Sequence, residues 1–470
     1  MLDYNHYQEN LQNTKKELDS VSETFCVAKW KQVTMHLQNG HTHSCHHPST
    51  HSIPLSELKN NIKALHNTQH KKFQRKLMLN GQRPRECDYC WRVEDNSKHN
   101  FSDRIYKSAD TWARPYINEI CDQSWDYDVN PSYVEVNFSN VCNFKCSYCA
   151  PHISSQWMEE IEKHGPYPTD DRFNNLDWIK QQNQMPIPHR QHNPYVEAFW
   201  QWWPELYQDL EHFRITGGEP LLSRDTFRVL DYVIENPNPN LEFSINTNLN
   251  PPDEIFDKFL EKIKIIINQK SVKRFKLFTS AEAHGSQCEY IRFGMNYDQW
   301  LKNIYKTFAQ VPNIEFTVMS TYNILSLPSY LKFLQDTLTI KKQFPDSSQL
   351  RNPLLLDIPY LRYPQHQALF IAQESMLHFI KQQVKFMYDN LEQWNSDGLY
   401  IPGFYRHEAD KLQRILDITI EETQKSDLTV NRLRSNFVKF VNEHDRRRNT
   451  DFLKTFPELC EIYQQWSQLI

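Results

Sequence analysis

Three cysteines lie close together in the stretch Cys142-Asn143-Phe144-Lys145-Cys146-Ser147-Tyr148-Cys149, separated by three and then two positions. Thiolates at this spacing can wrap three corners of one iron–sulfur cube, which leaves the fourth iron without a protein ligand and open to chemistry. Structural zinc wants four ligands in two knuckles, so three cysteines on one loop suit it poorly. A second set, Cys26, Cys45, Cys87 and Cys90, offers four thiolates and therefore a closed site. On ligand count alone that site is either structural zinc or a four-iron cluster. Five imidazoles, His41, His43, His46, His47 and His51, ring Cys45 and offer alternative ligands. Four thiolates already complete a site, so the simpler reading is a solvated, His-rich hairpin edge. Cys121, Cys288 and Cys460 stand apart; Cys121, between the two sets, is at most a spare ligand.

Glycine is scarce, at 9 residues, and two of them adjoin in Ile215-Thr216-Gly217-Gly218-Glu219-Pro220. A Gly-Gly pair after a strand marks a turn that needs unusual φ or close backbone approach. Further on, Ser244-Ile245-Asn246-Thr247-Asn248 alternates so that Ser244, Asn246 and Asn248 share one face. Polar side chains on an interior face must find hydrogen-bond partners, or the strand end is an ordinary Asn-rich turn.

These residues need elements to position them. From residue 133 onward, short β-rich runs alternate with amphipathic helices. Strands are expected at 133–138, 213–216, 241–247, 273–280, 314–320 and 354–358. Helices are expected from about Ser154, over 225–235, 252–267, 297–309 and 327–338, and in a long run 375–394. Such alternation argues for a parallel β/α sheet with ligands at the strands' carboxyl ends, and a barrel and a doubly wound sheet fit it equally well. Before the alternation begins, Asn39-Gly40 between β-like runs signals a hairpin that brings Cys26 and Cys45 together. The tail from 404 to 470 is helical and amphipathic, and Arg446-Arg447-Arg448 is most simply a solvated helix end. Phe199-Trp200-Gln201-Trp202-Trp203 either lines substrate or, more simply, packs the sheet.

The cysteine loop with Tyr148 before its last Cys, followed by Gly217-Gly218-Glu219, resembles the signature of radical S-adenosylmethionine (SAM) enzymes. The resemblance implies a partial (β/α)6 radical SAM barrel in which the open iron of a [4Fe-4S] cluster on Cys142, Cys146 and Cys149 is chelated by SAM. Reductive cleavage then yields a 5′-deoxyadenosyl radical that abstracts hydrogen. It further implies that Gly217, Gly218 and Glu219 bind the SAM amino group and that Asn246 and Asn248 face ribose or substrate. Ser280 and Glu282 match the Ser-x-Asp/Glu element. Arg292 pairs with the SAM carboxylate, a role its planar fork suits, although a structural Glu282–Arg292 ion pair competes with that role. Val318 and Thr321 touch adenine, and Tyr148 sits beside the backbone that reads it. Cys288 is a candidate hydrogen-atom donor, with a buried structural thiol the bland alternative.

Phe25-Cys26, Trp30, a hairpin, Cys45, a helix and Cys87–Cys90 with Trp91 resemble the twitch half of twitch/SPASM domains, which carry an auxiliary [4Fe-4S] cluster. Here the segment precedes the barrel, whereas such domains usually follow it. The expected divisions are 1–125 for this segment, 126–400 for the barrel and 401–470 for the helical C-terminal region. By the same resemblance the partners are SAM, a reductant such as flavodoxin or ferredoxin, and a peptide or small-molecule substrate.

Composition bounds the rest. A chain of 470 residues holds two or three domains. Hydrophobic content of 39% and charged content of 24% mark it as globular. A net charge of -5 with interspersed signs gives no reason to expect a nucleic-acid or anionic-membrane partner. No apolar run approaches the roughly 20 residues of a membrane span, and the first residues lack a secretory signal. The expectation is therefore a cytoplasmic protein, in which clustered thiols bind metal rather than pair. A cysteine-rich zinc scaffold is the rival reading, and it accounts for neither the three-cysteine loop nor the Gly-Gly turn.

Overall fold

The computed structural model describes residues 4–97, 100–312, 314–344, 354–424 and 428–470. Nine strands form its main sheet: β1 (Gln32–His36), β2 (His41–His43), β3 (His51–Ser52), β4 (Tyr133–Asn137), β5 (His212–Thr216), β6 (Asn238–Asn246), β7 (Val272–Ser280), β8 (Glu315–Met319) and β9 (Leu354–Asp357). Their order is β9-β8-β7-β6-β5-β4-β1-β2-β3. From β4 to β9 the strands are parallel and neighbour one another in chain order. A doubly wound sheet needs a point where the order reverses. None occurs between β4 and β9, so right-handed crossovers stack their helices on one face.

Side-chain alternation agrees. Val134, Val136, Phe213, Ile215, Phe243, Ile245, Phe316 and Val318 are buried in the main core with the helices. The residues between them turn to the other face, where Arg214 of β5 donates to Asn246 Oδ1 at 2.9 Å and meets Met319 Sδ of β8 at 3.6 Å. Side chains stand perpendicular to a sheet, so strands three positions apart meet this way only if that face is concave. The aromatic stretch falls on the helix Pro194–Leu206, where Phe199, Trp202 and Trp203 are buried as packing. Two helices differ from expectation at their ends: the one expected over 327–338 runs from Tyr330 to Gln343. The run begun near 375 stops at Asp389, because Asn390 leaves helical geometry and its side chain donates back to Phe386 O. Gln393–Trp394 pairs instead with Tyr400–Ile401.

The N-terminal segment lends a strand to this sheet. β1 runs parallel to β4 from Gln32↔Tyr133 to His36↔Asn137, and the hairpin to β2 turns through Gly40 at φ 69°. Residues on the two sides of position 125 are therefore hydrogen-bonded in one sheet. The segment also has its own apolar core, including Leu11, Phe25, Trp30, Trp91 and Trp112. At the other end, Leu412, Phe437 and Phe440 of the C-terminal helices join the main core. Lys341 and Glu408 form an ion pair there at 3.2 Å with both side chains fully buried, and Glu408 also accepts from Leu356 N at 2.6 Å. Among the described residues, no helix is long and apolar enough to cross a membrane.

Breaking a buried pair by removing one partner strands the other charge. Lys341→Met is expected to destabilise the fold by about 3–5 kcal/mol, read as a lower denaturant midpoint, whereas Lys385→Met at an exposed i,i+4 pair is expected to cost under about 1 kcal/mol.

Candidate functional site

The cysteine loop leaves the end of β4 and is held almost residue by residue. Ser154 caps the helix Ser155–His164 by accepting from Trp157 N, and its hydroxyl donates to Phe144 O at 2.8 Å. Trp157 Nε1 donates to Cys146 O at 2.7 Å, and Gln367 Nε2 to Ser147 O at 3.0 Å. Lys145–Cys146 pairs antiparallel with Arg292–Phe293, and Ser147 N donates to Ile291 O at 2.6 Å. Arg448, from the last turn of the helix Leu428–Arg448, donates to Lys145 O at 2.6 Å and binds both oxygens of Glu160 at 3.1 Å.

Within this frame Cys142, Cys146 and Cys149 line one cavity of about 350 Å³. Tyr148, Gly217, Gly218, Asn246, Asn248, Ser280 and Arg292 line it too. The glycines are there for space. A Cβ on Gly218 would lie 2.4 Å from Val141 O, and one on Gly217, at φ 131°, would lie 2.2 Å from Asn137 Oδ1. The Gly-Gly turn thus packs directly on the cysteine loop, with Glu219 N donating to Val141 O at 2.8 Å. Three convergent thiols beside a bare backbone turn fit an iron–sulfur cube with one open corner and a small polar ligand upon it.

The model of the Radical SAM superfamily matches residues 136–333, from β4 into the helix after β8. Residues 136–333 are a radical SAM domain. A stretch of 214 residues is 23% identical to a GTP 3′,8-cyclase of Psychromonas ingrahamii, covering 45% of this chain and 51% of that protein. The chain therefore spans about half the length of that curated relative. The solved structure of native anSMEcpe with bound AdoMet aligns over 70% of this chain and 97% of its own, at 13% identity and a TM-score of 0.27.

Four expected residues sit elsewhere than around the cavity of the radical SAM domain. Glu219 is buried, and its carboxylate clamps backbone and hydroxyl groups. It accepts from Leu221 N, Thr247 Oγ1 and Asn248 N at 3.0, 2.7 and 2.6 Å. Burial pushes this carboxyl up to about 7 despite those hydrogen bonds. Glu282 is likewise buried and accepts from Arg292 at 2.7 and 2.9 Å, so the ion pair is present. Arg292 also donates to the Tyr148 hydroxyl at 2.5 Å, while its Nη1 lies 3.8 Å from Cys146 Sγ. Val318 points to the helix side of β8 by strand alternation, and Thr321 reaches the cavity instead. Cys288 does not meet the expectation of a donor at the barrel mouth. It lies fully buried in the helix Gly285–Ile291, its sulfur 3.5 Å from Met295 Sδ, and burial pushes its thiol well up.

Cys26, Cys45, Cys87 and Cys90 line a second cavity, together with Lys29, His47 and Arg104. Burial pushes the thiols of Cys26, Cys87 and Cys90 up to about 12. The same cause raises Cys149 to about 12 and raises Cys142 and Cys146, so all six must lose protons to bind metal. Of the five imidazoles only His46 is exposed, so the hairpin edge is less solvated than expected. His43 Nδ1 bonds Cys45 O, and His46 and His47 both bond Asp103. Cys121 is exposed and lines neither cavity.

The arginine run is the clearest reversal. Arg446 alone is solvated; the side chains of Arg447 and Arg448 are 1% and 0% exposed. Arg447 donates to Gly165 O at 2.9 Å and lies 4.1 Å over the Tyr167 ring. A basic run was the only signal, and successive helical residues step about 100° apart, so one faces solvent while its neighbours turn inward.

Gly218→Ala is expected to displace the cysteine loop and weaken SAM binding at least tenfold, as measured by anaerobic calorimetry on the reconstituted chain. Arg448→Met is expected to speed iron loss to a chelator severalfold while Arg446→Met leaves it unchanged, followed by the decay of charge-transfer absorbance.

Proposed function

We propose that the protein is a radical SAM enzyme with two iron–sulfur sites, acting on a peptide or small-molecule substrate. The observation that carries this is the convergence of Cys142, Cys146, Cys149, Gly217 and Gly218 on one cavity, within a segment that matches the Radical SAM superfamily. Cys142, Cys146 and Cys149 would hold a [4Fe-4S] cluster there, which would leave one iron for SAM and supply the one electron that splits SAM into methionine and a 5′-deoxyadenosyl radical. The chain's own residues do the rest. Backbone carbonyls of the Gly217-Gly218 turn accept from the ammonium of the bound ligand. Arg292, aimed by Glu282 and Tyr148, keeps a guanidinium edge on the cavity for its carboxylate. Asn246, Asn248 and Ser280 offer hydrogen bonds to hydroxyl groups of the ligand's sugar.

In the N-terminal cavity four thiols complete a closed donor set, and we assign it an auxiliary [4Fe-4S] cluster. Lys29, buried beside those sulfurs and paired with Glu86, places a positive charge next to the four thiolates. A structural zinc in the same set is the second reading, supported by the same donors. A flavodoxin or ferredoxin is the fitting reductant class.

Anaerobic reconstitution with iron and sulfide is expected to load about eight irons per chain, and Cys26→Ala to lower this to about four. With dithionite the loaded chain is expected to release 5′-deoxyadenosine from SAM, and Cys142→Ala to abolish release. Four irons plus one zinc per chain would overturn the auxiliary cluster, and zinc alone with no SAM cleavage would overturn the enzyme.

A further inference from the structure

A third cavity, of about 630 Å³, adjoins the four-cysteine site. It shares His47 and Asp103 with the four-cysteine cavity. Its opposite wall is the chain from Asp357 to Arg362, beyond edge strand β9. That wall is hydrogen-bonded to the segment that carries Thr321 into the SAM-side cavity: Tyr322 N donates to Pro359 O, and Leu361 N to Tyr322 O, each at 2.8 Å. The space lies where the loop after β2 faces the end of β9, and its far wall is tied by these hydrogen bonds to the segment that reaches the three-cysteine cavity. The helix Arg406–Thr423 completes it with Arg414 and an apolar floor of Ile415 and Ile418.

The charges in this cavity do not cancel. Asp357 is taken by Lys411 at 2.5 Å, and Asp103 by His46 and His47 at 3.2 and 2.8 Å. Arg362 and Arg414 have no carboxylate partner among the described residues; Arg362 only packs over the Tyr360 ring at 5.2 Å. Two exposed guanidinium groups, one beyond β9 and one on the helix Arg406–Thr423, thus face the cavity without a carboxylate of their own, in a chain of net charge -5. Guanidinium forks match carboxylate and phosphate geometry, and a guanidinium without a carboxylate partner is available to a ligand anion. A volume near 600 Å³ is in the range of small-ligand sites, about 300–1,000 Å³.

We propose that this cavity recognises the substrate and that the substrate is anionic, presenting a carboxylate or a phosphate group to Arg362 and Arg414. As a substrate site it rests on the radical SAM enzyme reading, whereas anion binding there does not. Two probes separate the sources of the anion: inorganic pyrophosphate and a tetraglutamate peptide, each titrated calorimetrically into the reconstituted full chain under anaerobic conditions. At least one probe is expected to saturate a single site. Arg362→Gln and Arg414→Gln are each expected to weaken that binding at least tenfold at an unchanged melting temperature. Arg190→Gln, exposed and outside this cavity, is expected to leave it unaltered. Binding of pyrophosphate alone assigns a phosphate-bearing substrate, and binding of the peptide alone a carboxylate-bearing one. Saturation by neither probe, or binding that survives both substitutions, overturns the proposal. Anion binding with no SAM cleavage by the wild-type chain overturns the enzyme reading and leaves the anion site standing.

Discussion

A loop with almost no regular structure presents three thiols to one point only if its backbone is fixed from outside. Ordering each residue costs about 1–2 kcal/mol of conformational entropy, and every buried carbonyl needs a donor. Here the donors come from Trp157, Gln367 and Arg448, and from the ladder with Arg292–Phe293. These contacts span up to 303 positions of sequence. Much of the architecture follows from that need. The helix Ser155–His164 caps the loop's exit, the turn at Gly217-Gly218 packs against its start, and the C-terminal helix closes over its middle.

Two buried arginines give that frame its electrostatics. Arg448 is balanced by Glu160, and Arg292 by Glu282, each at about hydrogen-bond distance. Burial raises the thiols of the loop, and both guanidinium groups act on Cys146 in the opposite sense. Metal-free, the loop is a neutral element in a buried setting; loaded, it carries negative charge toward two cations already paid for by their own carboxylates. Charge is therefore arranged for the loaded state without leaving an unpaired ion in the empty one.

The N-terminal segment is tied to the same frame by β1, which continues the parallel sheet beyond β4. Its own core lies apart, around Trp30 and Trp91, so its four cysteines converge independently of the first site. One sheet thereby sets the relation between the two sites, and the cavity beside the four-cysteine one is walled by residues from the N-terminal segment, the end of β9 and the C-terminal helix.

Several features were legible in the chain itself. Cysteine spacing, the Gly-Gly turn, the Asn-Gly hairpin and the six alternating strands are local patterns, and local sterics and periodicity decide them. Choosing between a doubly wound sheet and a barrel required the strand order, which no local pattern encodes. Roles were harder still. Glu219 and Glu282 carry the right chemistry at the right spacing, yet tertiary packing turned one into a backbone clamp and the other into an arginine's counter-charge. Val318 and Cys288 were turned into the core by strand phase and helix burial. Arg448 had no local signal of its own, because its partners, Glu160 and Lys145, lie 288 and 303 residues away. The sequence by itself determined which groups are of metal-ligating type and which turns must be glycine, since those depend on donor type and on Cβ sterics. Only the tertiary structure decided which side chains face the cavity and which hold it in place, since that depends on contacts between segments distant along the chain.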